Sequence, residues 1–204
     1  MIKIKNVSKE INKNLVLDNI NLDLKEGEVI FLKGHNGCGK TMLLRLICGF
    51  IKPTAGQVVG NDKYRYGVII ENPTFFLQET AYYNLKYLAS INKLITDEEI
   101  DYYLKKLNLY KMRNKKVNTF SLGMKQRLAL CQAFMENPDV LLLDEPFNAI
   151  DDENLKIVTE LIENFKKKEK IIVIASHGDI SNFKFDKIIK MSDGKIVDNV
   201  KSNS

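Results

Sequence analysis

The apolar positions of this chain change period three times. Ile2, Ile4 and Val7 alternate in part with Lys3, Lys5 and Asn6, and Leu17, Ile20, Leu22 and Leu24 continue a broken alternation from Leu15. That spacing predicts strands with one face buried. Val29-Ile30-Phe31-Leu32 is instead an unbroken apolar run, which predicts a strand covered on both faces. A glycine-rich turn follows, and then an apolar helical stretch from Met42 to Phe50. Val68-Ile69-Ile70 reads as a further strand. From about Asn72 to Met135 the pattern turns helical and tyrosine-rich. Thr96 with Glu99 three residues on predicts a capping box, followed by one buried helix face of Ile100, Tyr103, Leu104 and Leu107. Val140–Leu143 and Ile171–Ala175 are two more continuous runs. Between them, Leu155, Val158, Leu161, Ile162 and Phe165 form a helical stripe. Asp193-Gly194, set between Ile188-Ile189 and Ile196-Val197, predicts a hairpin. The expected fold is α/β in one domain spanning 1–204, its core at 1–71 and 136–204 and a helical lobe inserted over about 72–135.

Composition narrows this picture only slightly. With 204 residues, 45% hydrophobic and 28% charged, the chain is long enough for a real core. The net charge of +5 is mild, and its short clusters at Lys115-Lys116 and Lys166–Lys168 suit a solvated surface, so no nucleic-acid partner is expected. Cys38, Cys48 and Cys131 are odd in number and lack CxxC spacing, which argues against a disulfide framework or a zinc site and fits a reducing compartment. The first residues are too polar for a signal peptide, and no window approaches the ~18 apolar residues of a membrane span. Any path across a bilayer is therefore expected from another chain.

The glycine-rich turn carries chemistry. Gly34-His35-Asn36-Gly37-Cys38-Gly39-Lys40-Thr41 fits G-x-x-x-x-G-K-[ST] at every specified position. Glycines let backbone N–H groups turn inward around a phosphate, and the next helix aims its positive end at the same anion. Asn36, Gly37, Cys38, Gly39, Lys40, Thr41 and Met42 are thus candidate ATP contacts. Lys40 would reach the β- and γ-phosphates, and the Thr41 hydroxyl would ligate Mg²⁺. Cys38 reads either as a small residue that fits the turn or as a thiol activated at a helix N-terminus and shielded by nucleotide.

Asp144-Glu145-Pro146 ends the run Val140–Leu143. Strand ends beside a phosphate loop are where open α/β sheets bind ligands. Asp144 suits an outer Mg²⁺ partner, and Glu145 suits a group that orients and polarises an attacking water. Ser176-His177 follows the next strand; His177 is a candidate to hold the γ-phosphate and that water.

Phe120-Ser121-Leu122-Gly123-Met124-Lys125-Gln126-Arg127 lies between the helical lobe and the acidic strand. It resembles the signature of ABC ATPases in a variant form, SLGMKQR instead of LSGGQ. The phosphate loop, this signature, LLLDEP, the stretch Asn148–Asp151 and Ser176-His177 occur in the family's order along nearly the whole chain. Ser121 is a good N-cap and Gly123 keeps the backbone bare, so this helix start can bind an anion. The resemblance implies that Ser121, Gly123 and Met124 grip the γ-phosphate held by a second ABC ATPase subunit, most simply an identical copy. Two ATP molecules would then lie between two head-to-tail domains. It also implies MgATP hydrolysis driving transport, a separate membrane-spanning permease, and a peripheral position on the cytoplasmic face of the plasma membrane.

Two positions depart from the family pattern. Glu71, before Asn72-Pro73, stands where a glutamine is usual and is a candidate Mg²⁺ ligand. With SLGMKQR it makes the chain similar to the ATPases of bacitracin-resistance and lantibiotic-immunity exporters. Ile11 stands where an aromatic platform for adenine is usual, with Val16 completing the apolar contact, which predicts weak selection of ATP over GTP. Phe75, Phe76, Tyr82, Tyr83 and Tyr87 are read as core packing in preference to a groove for a partner helix. The function expected is the ATPase subunit of an exporter of peptide antibiotics or similar amphiphiles. A soluble ABC ATPase of assembly or nucleic-acid handling, and an importer subunit, are the alternatives.

Overall fold

A computed structural model of the chain describes residues 1–71, 74–178, 180 and 183–201. Strands β1 (Ile2–Ile11) and β2 (Asn14–Leu24) form a hairpin whose two loop residues, Asn12 and Lys13, both have positive φ (49° and 65°). Such a loop matches the twist of its flanking strands. With β4 (Ala55–Val59) they make a three-stranded antiparallel sheet of order β2-β1-β4. The second sheet has order β5-β6-β7-β3-β8-β9, where β3 is Val29–Lys33, β5 Tyr66–Ile69, β6 Val140–Asp144, β7 Ile171–Ser176, β8 Lys187–Ser192 and β9 Lys195–Lys201. It is parallel apart from β9, which returns through Asp193-Gly194 and pairs antiparallel with β8.

The apolar runs are explained by what covers them. On one face of the six-stranded sheet, Ile30, Leu32, Val140, Leu142, Ile171 and Val173 pack with Leu43, Leu44 and Ile47 of α1 (Lys40–Ile47). The inward residues Ile2, Ile4, Leu17 and Ile20 of the antiparallel sheet join them. On the other face, Phe31, Leu141, Leu143, Ile172 and Ile174 meet Leu128, Cys131 and Phe134 of α4 (Leu122–Met135) and Val158, Ile162 and Phe165 of α5 (Asp152–Lys167). Alternate residues of each central strand thus enter opposite cores, which keeps the strands apolar up to their carboxyl ends at Lys33, Asp144 and Ser176. Burying a side chain of this size contributes about 1.5–3 kcal/mol, which makes the strand ends stiff supports for whatever they carry.

α1 begins two residues earlier than its apolar pattern indicates and ends before Phe50. Gly49 is left-handed at φ 78° and terminates it. Beyond β5 come α2 (Ala81–Asn92), capped by Thr80, and α3 (Asp97–Lys106), whose Thr96–Glu99 capping box is formed in both directions. Ile100, Leu104 and Leu107 are buried and Tyr103 is half-buried, so the expected α3 face forms. Among the described residues beyond β5, helical structure starts at Ala81; Asn72 and Pro73, where the helical pattern of the sequence begins, lie outside them. No helix among the described residues is long and apolar enough to cross a membrane.

Candidate functional site

Three parallel strands deliver the site. The carboxyl ends of β3, β6 and β7 lead into Gly34, Glu145 and His177, and the end of β5 leads towards Glu71. Beside them opens a cavity of about 530 Å³, a volume within the range of small-molecule sites. Asn36, Gly37, Gly39, Lys40, Thr41 and Met42 line one wall, with Val16 at its rim; Asp144, Glu145 and Glu71 line the other.

The loop before α1 has the curvature an anion needs. Gly39 has φ 105°, and a Cβ there would come within 2.7 Å of Leu17 Cδ2, so both torsion and space demand glycine. Val16 lies opposite no residue of β1, because pairing jumps from Lys9–Leu17 to Glu10–Leu15. This bulge brings the Val16 carbonyl within 3.1 Å of that same Cβ position. Lys40 is buried, and its Nζ donates to Gly34 O at 2.6 Å and His35 O at 3.1 Å. The N–H groups opening α1 lack helical acceptors and add positive potential to the ammonium.

Across the cavity, Thr41 Oγ1 donates to Asp144 Oδ2 at 2.5 Å. Burial pushes the Asp144 carboxyl above its ordinary range; Glu145 and Glu71 push the same way, while Thr41 and Lys40 oppose. The folded state therefore favours the protonated carboxyl. That stability is fully present below the unfolded pKa and is lost as pH rises through the folded one. Asp144→Asn is expected to raise the melting temperature of the nucleotide-free protein, more at pH 7 than near pH 4, while abolishing Mg²⁺-dependent turnover. Each kcal/mol corresponds to roughly 2–4 °C for a chain of this size. A melting curve lowered equally at both pH values contradicts this.

Glu145 leaves β6 in a left-handed conformation, φ 47°, with its N–H bonded to Ala175 O at 2.8 Å. Its carboxylate accepts from Ser176 Oγ at 2.8 Å and from the His177 N–H at 2.8 Å, and His177 Nδ1 lies 2.7 Å from Oε1. Burial raises the Glu145 carboxyl, but the donors of His177 and Ser176 outweigh it and hold the group below the usual range. The two neighbouring carboxyls are thus shifted in opposite directions, Glu145 down by its donors and Asp144 up by its burial. Two adjacent carboxyls pushed apart in this way can divide metal coordination from water activation.

Glu71 has φ 62° and pairs with Arg45 Nη2 at 2.6 Å, one helical turn beyond Thr41. Its carboxylate faces the cavity already neutralised by a guanidinium. Thr41, Asp144 and Glu71 make a set of hard oxygen donors. That chemistry fits Mg²⁺, which takes one or two carboxylates along with substrate phosphates and water.

Residues 17–148 match the ABC transporter family. The chain belongs to the ABC transporter family. The ABC transporter ATP-binding protein YybJ of Bacillus subtilis (strain 168) is 42% identical over 87% of this chain and 85% of its own length. The lantibiotic transport ATP-binding protein SrtF of Streptococcus pyogenes is 33% identical over 87% of this chain and 80% of its own. The bacitracin transport ATP-binding protein BcrA of Bacillus licheniformis is 32% identical over 98% of this chain and 69% of its own. Among solved structures, the dimeric ABC transporter cassette MJ0796 superposes with a TM-score of 0.90 at 28% identity, both chains covered in full. Its post-hydrolysis state bound to ADP and Pi gives 0.89 at 26% identity, again over both full chains. This chain is thus an ATPase cassette of the ABC type, as its motif order implies.

The signature of this ABC cassette starts α4. Ser121 is its N-cap, accepting from Met124 N at 3.2 Å, and Leu122 next to it is 68% exposed. Of this segment, Leu122 and Gln126 line the cavity of the same chain, whereas Ser121, Gly123 and Met124 do not. Gly123 is seated so tightly that a Cβ would fall 2.4 Å from Ala149 O.

The structure places three of the expected features as follows. Cys38 is buried with its thiol under the loop, 2.6 Å from where a Gly34 Cβ would lie. An activated, nucleotide-shielded thiol needs exposure that Cys38 lacks, so it is a small residue filling the turn. Ile11 closes the β1–β2 hairpin, 40% exposed, and is not among the cavity-lining residues, whereas Val16 is. Finally, the aromatic stretch is only partly core. Phe75 and Tyr82 pack on the interior, but Phe76, Tyr83 and Tyr87 are about half exposed and contact one another, the Phe76–Tyr87 centroids 5.2 Å apart. Leu122, Gln126 and Asn148, read from the sequence only as parts of motifs, line the cavity, and so does Arg45, which escaped the sequence reading. Arg45 four residues after Thr41 was the available signal.

Proposed function

We propose that this chain is the MgATP-hydrolysing subunit of an exporter of peptide antibiotics or similar amphiphiles, acting as a pair of ATPase copies beneath a separate membrane-spanning permease. The observation that carries the reading is the convergence on one cavity of Lys40 and Thr41 from α1, Asp144 from β6, and the Glu145–His177 pair.

The phosphates bind the loop N–H groups, and Lys40 exchanges the Gly34 and His35 carbonyls for phosphate oxygens. Thr41, Asp144 and Glu71 would hold Mg²⁺, which would supply charge neutralisation of the phosphates. Glu145, kept anionic, accepts the proton of the attacking water, and His177 orients that water and the γ-phosphate. Val16 packs on the nucleoside. In the pair, the exposed start of α4, with Ser121, Gly123 and Met124, closes over the γ-phosphate bound by the other copy. The half-exposed cluster of Phe76, Tyr83 and Tyr87 suits an apolar helix of the permease.

The export reading draws on resemblance to SrtF and BcrA together with Glu71 and SLGMKQR. Deleting the gene from its own host should sensitise the cells to bacitracin- or lantibiotic-type peptides, with the wild-type copy and not Glu145→Gln restoring growth. Unchanged susceptibility to both peptide classes contradicts export of such compounds.

A further inference from the structure

The turn that follows Glu145 is weakly closed by its own backbone. Glu145 adopts a left-handed φ of 47°, a conformation that favours glycine. The closing bonds of the turn, Asn148 N to Glu145 O and Ile150 N to Phe147 O, are both long at 3.3 Å. The missing support comes from α4. Gln126 Nε2 donates to Glu145 O at 3.3 Å and to Pro146 O at 3.1 Å. One residue on, Arg127 Nη1 donates to Asn154 Oδ1 at 3.2 Å, and the Asn154 amide binds both carboxylate oxygens of Asp151 at 2.8 and 2.9 Å. Helix α4 therefore grips both ends of the 145–151 turn, while Gly123 abuts Ala149 in its middle.

We infer that Gln126 is a positioning residue for hydrolysis, its amide clamping the Glu145-Pro146 backbone so that the Glu145 carboxylate meets the attacking water. The inference rests on the reading of Glu145 as the group that activates water. It goes further by linking two ends of one helix. The start of α4 faces the ATP of the second copy, and one turn later the same helix fixes the hydrolytic carboxylate of its own chain. A rigid helix carries a shift at Ser121–Gly123 to Gln126 with little loss.

Two substitutions separate a donor role from mere filling of space. Gln126→Glu places an acceptor against two carbonyls, whereas Gln126→Lys keeps a donor there. Steady-state turnover, ATP affinity and melting temperature are measured for both, alone and in a Glu145→Ala background. The expected result is a kcat lowered about 10- to 100-fold in Gln126→Glu, the size of effect that a carboxylate misplaced by about 1 Å produces. ATP affinity should fall less than kcat does, and Gln126→Lys should recover most of the loss in kcat. In the Glu145→Ala background, Gln126→Glu should change the residual rate by less than about twofold, because effects exerted through one group do not add. Wild-type kcat in Gln126→Glu while Glu145→Ala is inactive overturns the inference and spares the role of Glu145. So does an equal loss in Gln126→Lys, or an undiminished further loss in the Glu145→Ala background. Full turnover in Glu145→Ala overturns both readings, since Gln126 would then have nothing to position.

Discussion

Glu145→Gln is expected to lower ATP turnover by about 10²- to 10⁴-fold while leaving ATP affinity within a few-fold. The amide is isosteric, so the oxygen that accepts from the His177 N–H at 2.8 Å can be kept, and the amide N–H can still meet Ser176 Oγ. The Gln126 clamp acts on the main chain of residue 145 and is untouched. What disappears is a carboxylate held ionised by His177 and Ser176, the group that takes a proton from water. Phosphate release and fluorescent-nucleotide titration measure the two quantities separately. Turnover near wild type would remove Glu145 from the chemistry.

The second large effect belongs to Lys40. Lys40→Met keeps the length of the side chain in a buried site, so the fold should survive. The charge is lost, however, and Gly34 O and His35 O lose the donor at 2.6 and 3.1 Å. With no ammonium at the β- and γ-phosphates, kcat/KM for ATP is expected to fall by about 10³-fold, of the order seen when a phosphoryl-transfer site loses a charged donor. Nucleotide affinity falls as well, in contrast to Glu145→Gln. The two variants thus distinguish holding the phosphates from breaking the bond. A Lys40→Met protein that binds and hydrolyses ATP normally would mean that the loop does not cradle phosphate.

What the sequence revealed, and what it hid, follows from how local each signal is. The runs Val29–Leu32, Val140–Leu143 and Ile171–Ala175 are apolar at every position because two cores cover the strands, and that pressure is visible residue by residue. The turn at Asp193-Gly194 and the box at Thr96–Glu99 depend on neighbours a few positions apart. Strand β4 was illegible for the opposite reason. Ala55–Val59 is largely exposed and held by pairing with β1, which leaves no apolar alternation to read. Ile11 lies outside the cavity lining while Val16 is part of it, and the bulge at Val16 that shifts the hairpin register could not be read from the alternation of β1 and β2. Tyr83 and Tyr87 recur four residues apart, as core residues do, and periodicity alone cannot say which face is covered. Gln126 reaches Glu145 across nineteen positions, and only the packing of α4 on the strand ends brings them together.

The measurement closest to the central claim is the association state of the Glu145→Gln protein with and without ATP, by analytical sedimentation. If two copies enclose ATP between the phosphate loop of one and the α4 start of the other, hydrolysis-deficient protein should sediment as a monomer alone and as a dimer with ATP. Adding Ser121→Asp, which keeps a residue able to cap α4, should abolish that dimer by placing a carboxylate against the γ-phosphate. A protein that binds ATP tightly yet stays monomeric at every concentration, or a dimer unaffected by Ser121→Asp, contradicts the sandwich of two copies.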